Sequence, residues 1–185
     1  MGAIGHPPKV MTILAAFSRH DAALDWARDW GVNRFGALVL ESPRFAHDET
    51  SYYDDEMGGG LKKTFFAFER LIDPSEIVQV KIDSNAAESQ FASQSEFPES
   101  RPLNLDPGYL SESKFVLATT KDHAHRLYLD RGIYAEITLR YRKGEWQPWE
   151  WTYPDYCRDD YRKWFKECRV KFRELAMRSA NEDSA

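Results

Sequence analysis

Between residues 114 and 151 the chain keeps returning to one pattern, short stretches of alternating apolar and polar residues joined by connections of hairpin length. Phe115, Leu117 and Thr119 oppose Lys114, Val116, Ala118 and Thr120, and Ile133, Ala135, Ile137, Leu139 and Tyr141 oppose Tyr134, Glu136, Thr138 and Arg140. Period two is the pattern of a half-buried strand. Asp130-Arg131-Gly132 and Lys143-Gly144 are turns that return a strand antiparallel to its neighbour. The pattern predicts a meander of strands at 103–105, 114–121, 125–129, 133–141 and 145–151, with Ile133, Ala135, Ile137, Leu139 and Tyr141 facing the core.

The remainder supplies the other layers. After a Gly/Pro lead-in at 1–8, residues 9–17 form a β-branched and apolar run suited to a central strand. Ser18 is placed to cap a helix whose stripe is Ala23, Trp26, Ala27 and Trp30 and which Gly31 closes, and residues 35–40 return as a second strand. Residues 41–60 read as a long irregular segment holding Tyr52, Tyr53, Asp54, Asp55 and Glu56 ahead of a Gly58-Gly59-Gly60 hinge. Residues 61–72 are rich in phenylalanine. Asp73-Pro74-Ser75-Glu76 then resembles both a turn and a helix start, but the alternation of Val78, Val80 and Ile82 favours a strand at 77–83, closing a central hairpin. A short helix at 86–94 follows from Asn85 and Glu88, and Asp106-Pro107-Gly108-Tyr109 reads as a turn. A last helix at 155–178 turns Tyr161, Trp164, Phe165, Cys168, Phe172 and Leu175 inward, ahead of a tail at 179–185. The expected fold class is α+β: a single domain over 9–178 with a mainly antiparallel sheet, a β-α-β opening and a long C-terminal helix packed on the sheet. A ferredoxin-like arrangement with extra strands is the first topology to test.

Composition narrows the function. A chain of 185 residues with 42% hydrophobic residues holds a full core. No apolar run is long enough to span a bilayer, so no membrane association and a cytoplasmic location are expected. Cys157 and Cys168 lack metal or redox spacing and read as free thiols. Net charge −5 argues against general nucleic-acid binding. Bases nevertheless outnumber acids between 101 and 175, either as the solvated face of the last helix or as a local anion site.

Several separate strings then appear in one order: Tyr52-Tyr53 with Glu56-Met57-Gly58, Phe68-Glu69-Arg70-Leu71-Ile72, Asn104-Leu105-Asp106-Pro107-Gly108-Tyr109-Leu110, Thr119-Thr120-Lys121-Asp122 with His125-Arg126, Gly132-Ile133-Tyr134-Ala135-Glu136, and Trp151-Thr152-Tyr153-Pro154-Asp155-Tyr156. Together they resemble the prokaryotic family catalogued as domain of unknown function 4416, over nearly the whole chain. The resemblance implies no defined activity. The GTP-binding label carried by some members finds no P-loop here, since Gly58-Gly59-Gly60-Leu61-Lys62-Lys63-Thr64 has the wrong spacing.

Ionisable residues on segments that read as buried strands are costly unless paired or liganded. Two functions are therefore carried forward. In the first, a small enzyme or ligand-binding protein takes an anionic, phosphate-bearing small molecule or nucleotide, beneath a cover carrying residues 52–56. Asp106, Asp122, His125 and Glu136 are then the candidate catalytic groups, as acid, base or Mg²⁺ ligands. Tyr53, Asn104, Lys114, Thr120, Lys121, Arg126 and Arg140 are the candidate substrate-binding groups. His123 with His125 could hold a metal, though no third ligand has the spacing. In the second, the protein is a non-enzymatic interaction module whose polar residues knit the sheet and whose partner meets an aromatic hairpin of Trp146, Trp149, Trp151, Tyr153 and Tyr156. Convergence of Lys121, Arg126, Asp106, Asp122, His125 and Glu136 in one pocket separates the two. Sequence alone leaves the oligomeric state open.

Overall fold

The computed structural model describes residues 3–48 and 54–182. Nine strands, β1 (Val10–Ser18), β2 (Leu38–Glu41), β3 (Phe45–Ala46), β4 (Lys62–Ile72), β5 (Asn104–Leu110), β6 (Lys114–Thr119), β7 (Leu127–Asp130), β8 (Ile133–Arg142) and β9 (Glu145–Pro148), form one sheet. Among the described residues four helices accompany them: α1 (Asp21–Phe35), α2 (Asp54–Met57), α3 (Ile77–Gln94) and α4 (Asp159–Glu182). The strand order is β2-β4-β1-β5-β6-β8-β7, with β3 beside β4 and β9 beside β8, and every pairing is antiparallel. The chain order β1-α1-β2-β4-α3-β5 with spatial order β2-β4-β1-β5 is the ferredoxin-like βαββαβ unit. The later strands extend it past β5.

All nine residues of β1 are buried, which explains its unbroken apolar run. Leu14 and Ala16 join Phe66, Phe68 and the residues of α1 and α3 on one face. Met11, Ile13 and Ala15 meet Phe65, Ala67 and the α4 residues Tyr161, Trp164, Phe165, Cys168 and Phe172 on the other. α4 starts at Asp159 after a 3-10 turn over Pro154–Cys157 and runs to Glu182, so that residues 179–182, expected in a tail, are helical.

Several expectations need correction. Gly31 lies inside α1, where a Cβ would stand 2.5 Å from the Phe68 ring, and the helix closes instead at Gly36 with φ 90. Ser18 caps nothing: its hydroxyl donates to the Pro102 carbonyl at 2.6 Å and accepts from the His20 amide. The strand at 77–83 and its hairpin do not exist. Asp73 and Glu76 close a reciprocal capping box around Pro74, and α3 runs unbroken through both expected segments. Its buried residues include Ile77, Val80, Lys81, Ser84, Ala87 and Phe91 at helical spacing, with Val78 beside them, a stripe disguised by a lysine and a serine.

Asp106-Pro107-Gly108 is strand, not turn, paired with β1 throughout. β7 begins two residues later than expected and β9 ends at Pro148. On β8 the register slips opposite Phe115 and Val116, leaving Thr138 as a bulge. The bulge reverses the expected facing: Ile137 is 40% exposed, while Glu136 and Thr138 are buried at 3% and 0%.

Candidate functional site

The sheet splits where β5 and β6 part. β5 pairs with β1 along its full length, but with β6 only through Gly108, Tyr109 and Leu110. At the junction Pro107 has no N–H to offer a ladder, and a side chain on Gly108 would run into the Val116 carbonyl, 2.4 Å from a Cβ. The open edge of β5 is met by α3 instead. Glu88 accepts from the Leu105 amide at 2.7 Å, and the Lys81 ammonium donates to the Leu105 carbonyl at 3.0 Å. A cavity of about 680 Å³ occupies the wedge, within the usual range for small-molecule sites. Its walls come from the ends of β1, β4, β5 and β6, from α3, from Glu136 on β8 and from the turn at 153–156.

One wall is rich in donors. Lys63 lies directly across from Phe17 on β1, and Phe17 lies across from Asn104 on β5, so the three form a row facing the α4 side. Lys63 is 3% exposed; its Nζ donates to Asp155 Oδ2 at 2.6 Å and stands 4.4 Å from the centre of the Tyr156 ring. An ammonium carries three N–H groups, and the other two find no acceptor among the described residues. The Asn104 Nδ2 and the Tyr156 hydroxyl, both buried, also lack a hydrogen-bond partner there. Burial pushes the Tyr156 phenol well above its ordinary value, with Asp155 and Asp106 adding to the effect, so it remains a donor. His47 Nδ1 lies 3.8 Å from the same Asp155 oxygen that Lys63 holds.

The carboxylates differ in how far they are committed. Glu136 Oε2 accepts from Arg126 Nε at 2.8 Å and lies 3.2 Å from His125 Nε2, while Oε1 accepts from Thr138. Arg126 also donates to the Lys121 carbonyl and the Tyr153 hydroxyl, tying the loop after β6 and the 153–156 turn to β8. Asp106 sits deep in the molecule, yet 33% of its side-chain surface stays open because it borders the cavity. Burial opposes its ionisation, but Lys81, Lys63 and Arg101 outweigh that and hold it below the usual carboxylate range. The Asn104 side chain adds to this lowering.

The cavity gathers Asn104, Asp106, Thr120, Lys121, Arg126 and Glu136 from the sequence-derived candidates, with His123 beside them. It does not gather the rest. Asp122 is exposed outside the lining, and His125 stands behind Glu136. Arg140 lies 4.1 Å over Trp149, which stacks on Trp151, which stacks on His125 and then His123, a column of flat groups beside the cavity. Lys114 faces Arg140 across the sheet, five residues and so about 17 Å along β6 from Thr119. Tyr53 and its neighbours 49–53, expected in the cover, lie outside the described residues. Among the described residues no three His, Cys, Asp or Glu side chains gather as metal ligands. Sequence reasoning missed Lys63, Lys81, Arg101, His47 and Asp155. Lys63 left a signal: period two puts it on the same face as Phe65 and Ala67.

In comparisons with known proteins, a family model described as a domain of unknown function (DUF4416) matches residues 8–172. No curated protein and no solved structure matches the chain.

Proposed function

The chain belongs to the DUF4416 family, and we propose that its cavity binds a phosphate-bearing small molecule. The observation that carries this reading is the set of buried donors, the Lys63 ammonium, the Asn104 amide and the Tyr156 hydroxyl, on residues that line one space. A buried donor left unmet costs about 1–3 kcal/mol. A phosphate brings several strong acceptor oxygens and meets such donors together. Five cations, Lys63, Lys81, Arg101, Lys121 and Arg126, line the space with three carboxylates, Asp106, Glu136 and Asp155, which favours an anion. The volume suits a nucleotide or sugar phosphate better than a bare ion.

The lowered pKa of Asp106 suits a charged acceptor in binding better than a general acid or base. A catalytic acid or base works best with a pKa near the operating pH, whereas Asp106 is driven down and Tyr156 up. A thermal-shift screen of nucleotides, sugar phosphates and dicarboxylates tests the reading. A true ligand at a hundred times its Kd adds about 2.7 kcal/mol, a rise of roughly 5–10 °C for a chain of this size. Arg101→Ala and Lys121→Ala are expected to lose most of that rise. No shift with any phosphate ester would overturn the proposal.

One observation favours a second reading, a protein-interaction module. β7 is a sheet edge whose Leu127, Tyr128 and Leu129 are 75%, 59% and 40% exposed, a template for strand addition. The aromatic hairpin first expected to meet a partner has Trp146 and Tyr156 buried instead. A sedimentation coefficient that rises with concentration, and stops rising in Leu127→Lys, would support this reading.

A further inference from the structure

We infer that the ligand carries hydroxyl groups beside its phosphate and that Asp106 receives them, so that the ligand class is a polyhydroxylated phosphate ester such as a sugar phosphate or nucleotide. This rests on the anion-binding reading above and adds to it. Of the three carboxylates in the lining, Asp106 is the one least engaged by a cation. The cation that hydrogen-bonds it, Lys81 Nζ, stands at 3.5 Å, the outer limit of such a contact. A carboxylate has about four acceptor positions, so part of its capacity is unused. Glu136 and Asp155, by contrast, are each bound at short range to a cation, at 2.8 and 2.6 Å.

A ligand that fills the cavity cuts Asp106 off from solvent, and its oxygens must then be met by the ligand itself. A bare polyanion would face repulsion there. An ammonium-bearing ligand would meet Lys81 at 3.5 Å from the same carboxylate, with Lys63 and Arg101 also acting on it. A neutral O–H donor avoids both conflicts, and a charged group without its hydrogen bonds is the costlier arrangement. Tyr153, 43% exposed in the lining, offers a flat wall against which a sugar ring or base can lie.

Calorimetric titration of the parent protein with ribose 5-phosphate, glucose 6-phosphate and AMP, against phenyl phosphate and pyrophosphate, tests the inference. At least one hydroxylated ester is expected to bind about tenfold or more tighter than both hydroxyl-free probes. In Asp106→Asn, and more completely in Asp106→Leu, that preference is expected to shrink to within about threefold while phenyl phosphate affinity holds or rises. Equal binding of both groups by the parent, which requires no variant, would overturn the inference but leave the anion site standing. A preference that survives Asp106→Leu would also overturn it. Failure of every probe, pyrophosphate included, would overturn the anion site and the inference with it.

Discussion

The Lys63–Asp155 pair shows how one residue can be both structural and functional. Both side chains are almost wholly buried, so removing one partner strands a charge in the interior. Asp155→Ala is expected to cost about 3–5 kcal/mol in urea unfolding, and Lys63→Met with Asp155→Leu together much less, because no charge is then left alone. Asp106 supplies a pH test whose sign follows from its lowered pKa. A carboxyl depressed in the folded state contributes stability above its unfolded value, and loses it as pH falls through the folded one. The stability advantage of the parent over Asp106→Asn should therefore be level between about pH 5 and 7 and shrink below about pH 4. An advantage unchanged at pH 3 would contradict the assignment. At this scale the motif strings made Asn104, Asp106, Lys121, Arg126 and Glu136 legible. Lys81 was hidden because its burial depends on α3 lying against the open edge of β5, a contact made by residues 24 apart in sequence.

Elements were legible where one physical signal acted alone. The βαβ opening, the hairpin at Lys143-Gly144 and the aromatic stripe of α4 each followed from periodicity and turn chemistry. They failed where two signals competed. At 77–83 the apolar alternation is real, but the capping box at Asp73 and Glu76 and the inward face of α3 prevail over it. At Asp106-Pro107-Gly108 the turn residues serve a strand, with Gly108 marking where β6 comes close and Pro107 where the ladder ends. The β8 bulge cannot be read from alternation at all, since it moves Glu136 to the inside without changing the pattern. Gly108→Ala tests the junction. The added methyl would press on the Val116 carbonyl and the Phe115 ring, 2.4 and 2.9 Å away. A loss of about 1–3 kcal/mol in stability, with weaker ligand binding, is expected. Gly59→Ala, which meets nothing within 4 Å, should leave both unchanged.

The molecule as a whole joins a ferredoxin-like unit to a strand extension, with the cavity at the seam between them. No helix among the described residues is long and apolar enough to cross a membrane. Of the bases between 101 and 175, Arg101, Lys121 and Arg126 line the cavity, while Lys163, Lys166 and Arg173 lie exposed along α4. Sequence could not apportion the basic excess, because it shows which residues share a helix face but not which strands separate. An NMR titration of isotope-labelled protein with AMP distinguishes the two locations most directly. The account predicts saturable shifts of the Asn104 side-chain amide, moving together with the backbone amides of residues 117–121 and of Asp155 and Tyr156. Shifts confined to the exposed face of α4 around Lys163 and Lys166, with Asn104 unmoved, would contradict it.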